Sequence, residues 1–354
     1  MSSRLAVGPD LPRATRPTWG QVAAGVLILL LAALGGLVIG PAGMGFAEVL
    51  RALADGLPFV EVSHGLTDTQ LDIIWQLRLP RVVLGAIVGA TLAMSGAAYQ
   101  GVFRNPLADP YLLGVAAGAG FGATLAFVFA PGAAVGPIEL LPIAAFAGAL
   151  AGVGLTYGVG RTLGDRSNVA LILAGVAVAS FLTAVQTFIQ QRNTDTLREV
   201  YSWILGSIGT LGWSEVLLAL PYAGIAAIVI LLHRRLLDVM AVGDEESRGL
   251  GVSTGRVRAT VVIAASLGTA AAVAVSGLIG FVGIIVPHTV RLLTGWSYRV
   301  IIPLSALFGG AFLVAADLVA RSVMSPAELP IGVVTAFLGA PFFAVVMRSA
   351  RRMR

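Results

Sequence analysis

Long apolar runs separated by short polar segments make up most of the chain. A helix of about 20 apolar residues spans the hydrocarbon core of a bilayer. The pattern therefore predicts about ten transmembrane helices, one of which, at 281–296, is short and contains Pro287. The others lie at 21–40, 82–101, 111–130, 139–160, 169–191, 214–233, 258–279, 300–320 and 330–349.

Three polar segments are long enough to form structure outside these spans. Residues 41–80 include the amphipathic stretch FAEVLRALADGL, and residues 192–213 are half apolar, which predicts a short helix lying against the bundle. Residues 234–257 are long enough for two short helices. A solvated connector is the simplest interpretation of this last segment, but its length favours a contact surface.

Composition agrees with this pattern. The chain is 57% hydrophobic and 12% charged, with a mean hydropathy of +0.91, whereas a soluble domain carries about twice that charge. We predict an all-α, polytopic membrane protein with one bundle at 21–349, a leader at 1–20 and a tail at 350–354. The leader is basic like the start of a signal peptide, but the apolar run after it is too long for one, so we expect a retained span.

Arginine positions orient the bundle. With the N terminus in the cytoplasm, 17 of the 23 arginines fall on the cytoplasmic side, as the positive-inside rule requires. An even number of spans places both termini there, and 234–257 becomes a cytoplasmic loop. This topology also explains the net charge of +5 without nucleic acid. The arginines left outside are Arg51, Arg78, Arg81, Arg192, Arg198 and Arg321.

Missing residue types exclude several kinds of chemistry. All 23 basic residues are arginine, so the chain lacks the lysine with which a P-loop holds phosphates and is not an ATPase of that class. It has no cysteine, and its histidines (His64, His233 and His288) are far apart, so we expect no metal site. We predict that this chain is not an enzyme and holds no cofactor.

Few ionisable residues lie inside the spans. Asp317 is the one acid well inside a predicted span, and its four-residue spacing to Arg321 predicts an ion pair. Carriers driven by ion gradients need ionisable groups within the bilayer. We therefore expect a pathway whose energy comes from a partner. An ion-coupled secondary carrier and a non-transporting scaffold are the alternatives.

Glycines and prolines indicate packing and turns. The pairs Gly85 and Gly89, Gly148 and Gly152, and Gly154 and Gly158 predict close helix contacts, with the lining of a wide pathway as the alternative. In RLPR, Pro80 predicts the start of the second span. In RNPLADP, Pro106 and Pro110 stiffen a turn beside Arg104, and Asp109 is a candidate N-cap for the third span.

Six segments carry a family resemblance. Together they are similar to the FecCD-type permeases, the membrane subunits of binding-protein-dependent ABC importers for iron chelates, haem and vitamin B12. The segments are RLPRVVLGAIVGATLAMSGAAYQGVFRNPLADPYLLGVAAGAG (78–120), LILAGVAVAS (171–180), VGDEESRGLGV (242–252), SGLIGFVGIIVPHTVRLLTG (276–295), AADLVARSV (315–323) and ELPIGVVTAFLGAPFF (328–343).

The resemblance implies a ten-helix subunit in a bacterial cytoplasmic membrane. It implies a second permease subunit, identical or a paralogue, two cytoplasmic ATPase subunits that bind ATP and Mg, and an extracytoplasmic binding protein. The implied mechanism is alternating access for a ferric siderophore, with haem or cobalamin as alternatives. His288 belongs to the family's PH motif, so we do not expect it to bind haem.

The resemblance also implies site residues. Arg78, Arg81 and Arg321 match arginines that receive glutamates of the binding protein, although interfacial anchoring explains the first two equally well on composition. The implied coupling helix includes Val242, Gly243, Asp244, Arg248, Leu250 and Gly251. Within it, Ser247 replaces the usual alanine and Gly249 is a poor helix former, so we expect reduced rigidity. Leu107, Ser167 and Asn168 match the cytoplasmic gate, and the span at 169–191 matches the helix that lines the pathway.

Overall fold

A computed structural model describes residues 16–40, 42–56, 58, 62–136, 138–162, 168–209, 212–325 and 327–352, with the backbone alone for Asn168 and 345–352. Within these ranges, seven helices are long and apolar enough to cross a membrane, and three further apolar helices are shorter. The all-α, polytopic prediction is confirmed, and these helices occupy the ten predicted spans. The cytoplasmic placement of both termini stays a prediction.

The long helices are connected by short helical segments. Two 3₁₀-helices (Pro110–Leu113 and Thr194–Thr196), a π-helix (Ile73–Arg78) and an antiparallel hairpin of β1 (Ala134–Val135) and β2 (Ile138–Glu139) complete the described elements. The α-helices are α1 Trp19–Val38, α2 Phe46–Asp55, α3 Asp68–Asp72, α4 Leu79–Phe103, α5 Val115–Phe129, α6 Leu140–Thr162, α7 Asn168–Arg192, α8 Leu197–Ile204, α9 Ser214–Met240, α10 Asp244–Gly249, α11 Thr254–Ser276, α12 Val282–Thr294, α13 Tyr298–Ser322 and α14 Ile331–Arg352.

Helix α4 forms the centre of the bundle. It packs against α9, α11, α12 and α13. In the most apolar 18-residue stretch of this span 78% is buried, compared with 17% in that of α1. A helix that is apolar on every side suits either a protein core or lipid. Here α4 is enclosed by protein, whereas α1 lies at the edge and contacts mainly α13. The predicted amphipathic helices outside the spans are α2 and α8.

Glycines set the closest helix contacts. A Cβ on Gly89 would lie 2.2 Å from the carbonyl oxygen of Gly309, and one on Gly148 would lie 2.2 Å from that of Gly118. Small residues let helix backbones approach closely in a bilayer. The pairs that contain Gly89 and Gly148 therefore serve packing, as predicted. Gly154 and Gly158 do not, because a Cβ on either would meet nothing within 4 Å.

The second span starts earlier than the sequence indicates. Helical structure is continuous from Asp68 to Phe103, but α4 itself begins at Leu79, so Pro80 lies in its first turn, as predicted. A π-helical stretch directly precedes the proline, and the N–H of Leu79 donates to the carbonyl of Ile74. This wider turn accommodates a residue that has no N–H to donate, so the helix continues.

The segment predicted as a loop at 234–257 is partly helical. Helix α9 runs through Met240, and both Leu237 and Met240 are buried in the core. The remaining connection, 241–253, contains α10 alone rather than two short helices. We call residues 241–253 the coupling segment.

Helices α5 and α6 offer a direct test of glycine packing. Gly148→Ala should lower the free energy of unfolding by about 1–3 kcal/mol, because the new methyl group meets the Gly118 backbone. Gly154→Ala, in the same helix, should be neutral or stabilising by up to about 1 kcal/mol. Thermal unfolding in detergent compares the two variants. Equal destabilisation would contradict this account of the contact.

Candidate functional site

Arg81 lies between two carboxylates at one end of the bundle. Its Nε and Nη2 donate to the carboxylate of Asp317 on α13 at 2.8–3.1 Å. Its Nη1 and Nη2 each donate at 2.9 Å to Glu328, in the segment before α14. A planar guanidinium suits this two-sided arrangement because its donors point in fixed directions. Arg81 thus joins α4 to α13 and to the start of α14.

Arg78 and Arg321 complete the same cluster by holding the end of α1. The Nη1 of Arg78 donates to the carbonyls of Leu37 at 2.6 Å and Val38 at 2.9 Å, and Arg321 donates to that of Gly36. The last carbonyls of a helix lack partners within the helix, and positive charge there is favourable. The Nε of Arg321 also lies 3.7 Å from Asp317, so the predicted i,i+4 ion pair is confirmed.

We call these five residues the outer cluster, after the side of the membrane that the sequence predicts for its arginines: Arg78, Arg81, Asp317, Arg321 and Glu328. The structure brings together the three arginines that the sequence assigned to docking. Their side chains are largely buried, that of Arg81 being 17% exposed, whereas Glu328 is 46% exposed. Hydrogen bonds from Arg81 lower the pKa of Glu328. Glu328 therefore remains charged and is the accessible acid of the outer cluster.

At the other end of the chain's spans, α10 is anchored to the bundle by Asp244. This carboxylate lies 3.3 Å from Arg104 at the end of α4 and 3.0 Å from Arg258 on α11. Partial burial alone would raise the pKa of Asp244, but the hydrogen bond and charge of Arg258 and the charges of Arg104 and Arg248 lower it. Asp244 thus fixes the coupling segment to two helices.

Ser247 provides a second anchor for α10. Its side chain is fully buried, and its hydroxyl donates to the carbonyl of Val239 at 2.9 Å and to that of Gly243. The serine therefore adds a hydrogen bond that alanine lacks, while the expectation of reduced rigidity stays a prediction. Gly249 is exposed, and a Cβ added to it would meet nothing within 4 Å.

The two other glycines of the coupling segment occupy conformations that favour glycine. Gly243 has φ 130° and precedes α10, and Gly251 has φ 81° and follows it. A side chain there would strain the backbone. Val242 before Gly243 is exposed, as are Arg248 and Leu250 between the two glycines, with Leu250 at 69%. The coupling segment therefore presents charged side chains on an anchored helix and apolar ones beside it.

Arg291, a residue that the sequence did not single out, lies near the coupling segment. It is 4% exposed, and its Nη2 donates to Gln100 at 2.9 Å. Its guanidinium carbon lies 5.3 Å from the ring centre of Trp296. Together with Arg104 it lines a cavity of about 480 Å³. In the sequence, only the position of Arg291 in the PHTVR motif could have indicated a role for it.

The RNPLADP turn contains Leu107, the one predicted gate residue whose side chain the structure describes. Ser167 lies outside the described residues, as does the side chain of Asn168. Leu107 is half-buried, and its N–H donates to the side chain of Asn105 at 3.0 Å. Arg104 ends α4 with φ 51°. The turn is thus held by side-chain to backbone hydrogen bonds as well as by its prolines.

Asp109 caps a helix as predicted, although the helix is a single 3₁₀ turn. Its carboxylate accepts from the N–H of Tyr111 at 2.7 Å, and α5 begins only after Gly114, which has φ 79°. Partial burial raises the pKa of Asp109 to about 6. The Tyr111 hydroxyl donates to the carbonyl of Ile279 at 3.0 Å, which ties the turn to the segment before α12.

Helix α7, predicted to line the pathway, is buried on one face and exposed on the other. The buried face packs on α5 and α6, where Gln190 donates to Thr124 at 3.3 Å. Apolar side chains on the exposed face are Leu173, Val176, Phe181 and Phe188.

His288 packs edge-on against Phe342, with ring centres 6.2 Å apart. Within the described residues, no group of three or more metal-binding side chains lies together.

Comparison with known proteins gives the family. The profile of the FecCD transport family matches residues 27–349. The chain belongs to the FecCD transport family. The predicted resemblance is therefore confirmed, and the chain is a permease subunit of an ABC importer in the cytoplasmic membrane. Family members are the permease subunits of these transporters and are not themselves ATPases.

Several permeases are similar over most of the chain. The cobalamin import system permease protein of Halobacterium salinarum is 43% identical over 287 residues, covering 81% of this chain and 76% of the relative. The iron(3+)-hydroxamate import system permease protein of Bacillus subtilis is 38% identical over 343 residues, covering 96% and 86%. The hemin transport system permease protein of Yersinia pestis is 36% identical over 342 residues, covering 93% and 96%.

A solved structure shares the fold. An inward-facing conformation of a metal-chelate type ABC transporter superposes with a TM-score of 0.79 at 30% identity, covering 94% of this chain and all of that one.

The outer cluster predicts unequal roles for its two acids. Asp317→Asn should lower the free energy of unfolding by about 3–5 kcal/mol, because it leaves buried arginines without their shared counter-charge. Glu328→Gln should cost about 1 kcal/mol or less, since Glu328 is half exposed. Thermal unfolding in detergent measures both. A larger loss for Glu328→Gln would contradict the assignment of Asp317 as the central anion.

Proposed function

We propose that this subunit forms half of the pathway for a ferric siderophore, with haem and cobalamin as alternative substrates. Membership of the family supports an importer, and the similar solved structure is a metal-chelate type transporter. The named relatives belong to transport systems for iron(3+)-hydroxamate, hemin or cobalamin. A bulky chelate in each case requires a wide pathway with weak contacts.

The observation that carries the ATP-driven part of this proposal is the coupling segment. Its helix α10 is anchored by Asp244 and Ser247 while Leu250 and Arg248 remain exposed. An anchored helix can transmit a displacement to the spans that hold it, here α4, α9 and α11. We propose that ATP and Mg bind to two partner ATPase subunits, which contact α10 and drive alternating access.

Reconstitution tests the whole proposal. Proteoliposomes with this chain, its ATPase partner and a binding protein should import the substrate only with ATP. Ferric hydroxamate, haem and cobalamin supplied in parallel distinguish the three candidate substrates. Uptake by the chain alone, driven by an ion gradient, would instead identify a secondary carrier.

We further propose that the exposed face of α7 lines the pathway opposite a second permease subunit, identical or a paralogue. The chain contains no cysteine, so single cysteines can be introduced without removing others. Ala177→Cys or Ala184→Cys, both on this face, should make transport sensitive to a bulky, water-soluble thiol reagent. Ile228→Cys, exposed on α9, is the control and should not react. Equal reactivity at all three positions would contradict the assignment of α7.

The outer cluster is our proposed docking site for the binding protein, with Glu328 as an internal competitor. Glu328 occupies the outward edge of Arg81, while Asp317 holds the same guanidinium from the buried side. An incoming carboxylate can take the place of Glu328 without moving Arg81. Because exposed ion pairs contribute about 1 kcal/mol or less, this exchange costs little.

Docking affinity tests this arrangement. Arg81→Glu should weaken binding of the loaded binding protein about tenfold or more. Glu328→Gln should strengthen it up to about fivefold, because the competing charge is removed. Arg51→Glu, an exposed arginine of α2 outside the cluster, is the matched control. Surface plasmon resonance gives the three dissociation constants, and unchanged or weaker docking of Glu328→Gln would refute competition.

A further inference from the structure

We propose that a basic cavity at the ends of α1, α9 and α13 binds the phosphate group of an acidic phospholipid. The cavity has a volume of about 450 Å³. Its lining residues are Arg16, Pro17, Trp19, Val22, Arg234, Arg235 and Arg299. This site shares no residue with the outer cluster or the coupling segment. The proposal depends on no step of the transport mechanism.

The cavity has more positive charge than its surroundings balance. Asp238 pairs with Arg299 at 3.3 Å, and it also accepts from the Ser297 hydroxyl at 2.9 Å and the Tyr298 N–H at 2.5 Å. The carboxylate of Asp238 is thus occupied by groups at the start of α13. Across the described ranges, none of the ion pairs involves the other three arginines of the cavity.

The arrangement suits an oxyanion rather than a single carboxylate. The arginines come from three elements that are distant in sequence and converge on one cavity. Arg234 and Arg299 are half-buried, whereas Arg16 and Arg235 are exposed at its rim. Guanidinium groups bind phosphate oxygens through paired hydrogen bonds, and several can share one phosphate because it offers multiple acceptors.

The surroundings of the cavity point to a lipid as the source of that phosphate. Trp19 at its edge is 90% exposed, and tryptophan is enriched at the level of lipid headgroups. Next along α1, Leu27, Leu30 and Leu31 are each more than half exposed. A headgroup in the cavity would therefore place its acyl chains beside an apolar helix surface. Basic groups at this level attract anionic lipids.

Such a lipid would strengthen the attachment of α1, the least buried of the long helices. Along its length, α1 packs mainly on α13. A phosphate shared by Arg16, Arg234 and Arg299 would link α1 to α9 as well. Binding to the folded chain alone would raise its apparent stability, with the logarithm of the lipid concentration once the site is mostly occupied.

Thermal unfolding in nanodiscs tests the proposal. The full chain is placed in phosphatidylcholine with increasing fractions of phosphatidylglycerol at constant ionic strength, and the fraction that gives half the stabilisation is measured. The Arg234→Gln/Arg235→Gln double variant should need about 25-fold more phosphatidylglycerol, since each of the two basic groups contributes roughly fivefold in affinity. Arg161→Gln/Arg256→Gln removes the same charge from exposed positions outside the cavity and should behave as the unmodified chain.

Two outcomes would overturn the proposal. An equal loss in both double variants would indicate diffuse attraction to surface charge. Stabilisation by inorganic phosphate in pure phosphatidylcholine, equal to that by phosphatidylglycerol, would identify a site for a free anion. Native mass spectrometry provides a second readout that does not depend on unfolding: the unmodified chain should retain phosphatidylglycerol, and the Arg234→Gln/Arg235→Gln variant should lose it.

Discussion

The carboxylate of Asp317 is the interaction on which one end of the bundle depends. It lies between the guanidiniums of Arg81 and Arg321, and through them it connects α13 to α4, to the end of α1 and to the segment before α14. Asp244 does the same at the other end by pairing with Arg104 and Arg258. In a chain whose basic residues are all arginine, each of these two acids can hold two planar donors at once.

Much of the fold follows from length and local spacing. A span needs enough apolar residues to cross the bilayer, so the hydropathy pattern alone located the ten apolar helices. Local pairs were equally accessible, because Asp317 and Arg321 are one helical turn apart and Asp109 immediately precedes a proline that starts a turn. Motifs distributed over the chain then indicated the family.

The features that sequence reasoning missed depend on contacts between distant residues. Glu328 pairs with Arg81, 247 positions away, and no local pattern indicates this. Helices α1 and α4 are both apolar on all sides, so periodicity does not reveal that one is peripheral and the other central. The hydrogen bond of Ser247 was also missed, because only the folded structure places the Val239 carbonyl beside its hydroxyl. The π-helical segment before Pro80 was likewise missed, because a proline in a first turn is typical of the start of a helix.

The pairing of Asp317 with Arg81 also has a consequence for biogenesis. A helix entering the bilayer alone pays several kcal/mol for a carboxylate near its centre and less near its ends. Helix α4 is synthesised long before α13, so the guanidinium of Arg81 is already in the membrane when Asp317 arrives. The order of synthesis thus supplies the counter-ion first, and lateral association with the earlier helix lowers the cost of inserting the later one.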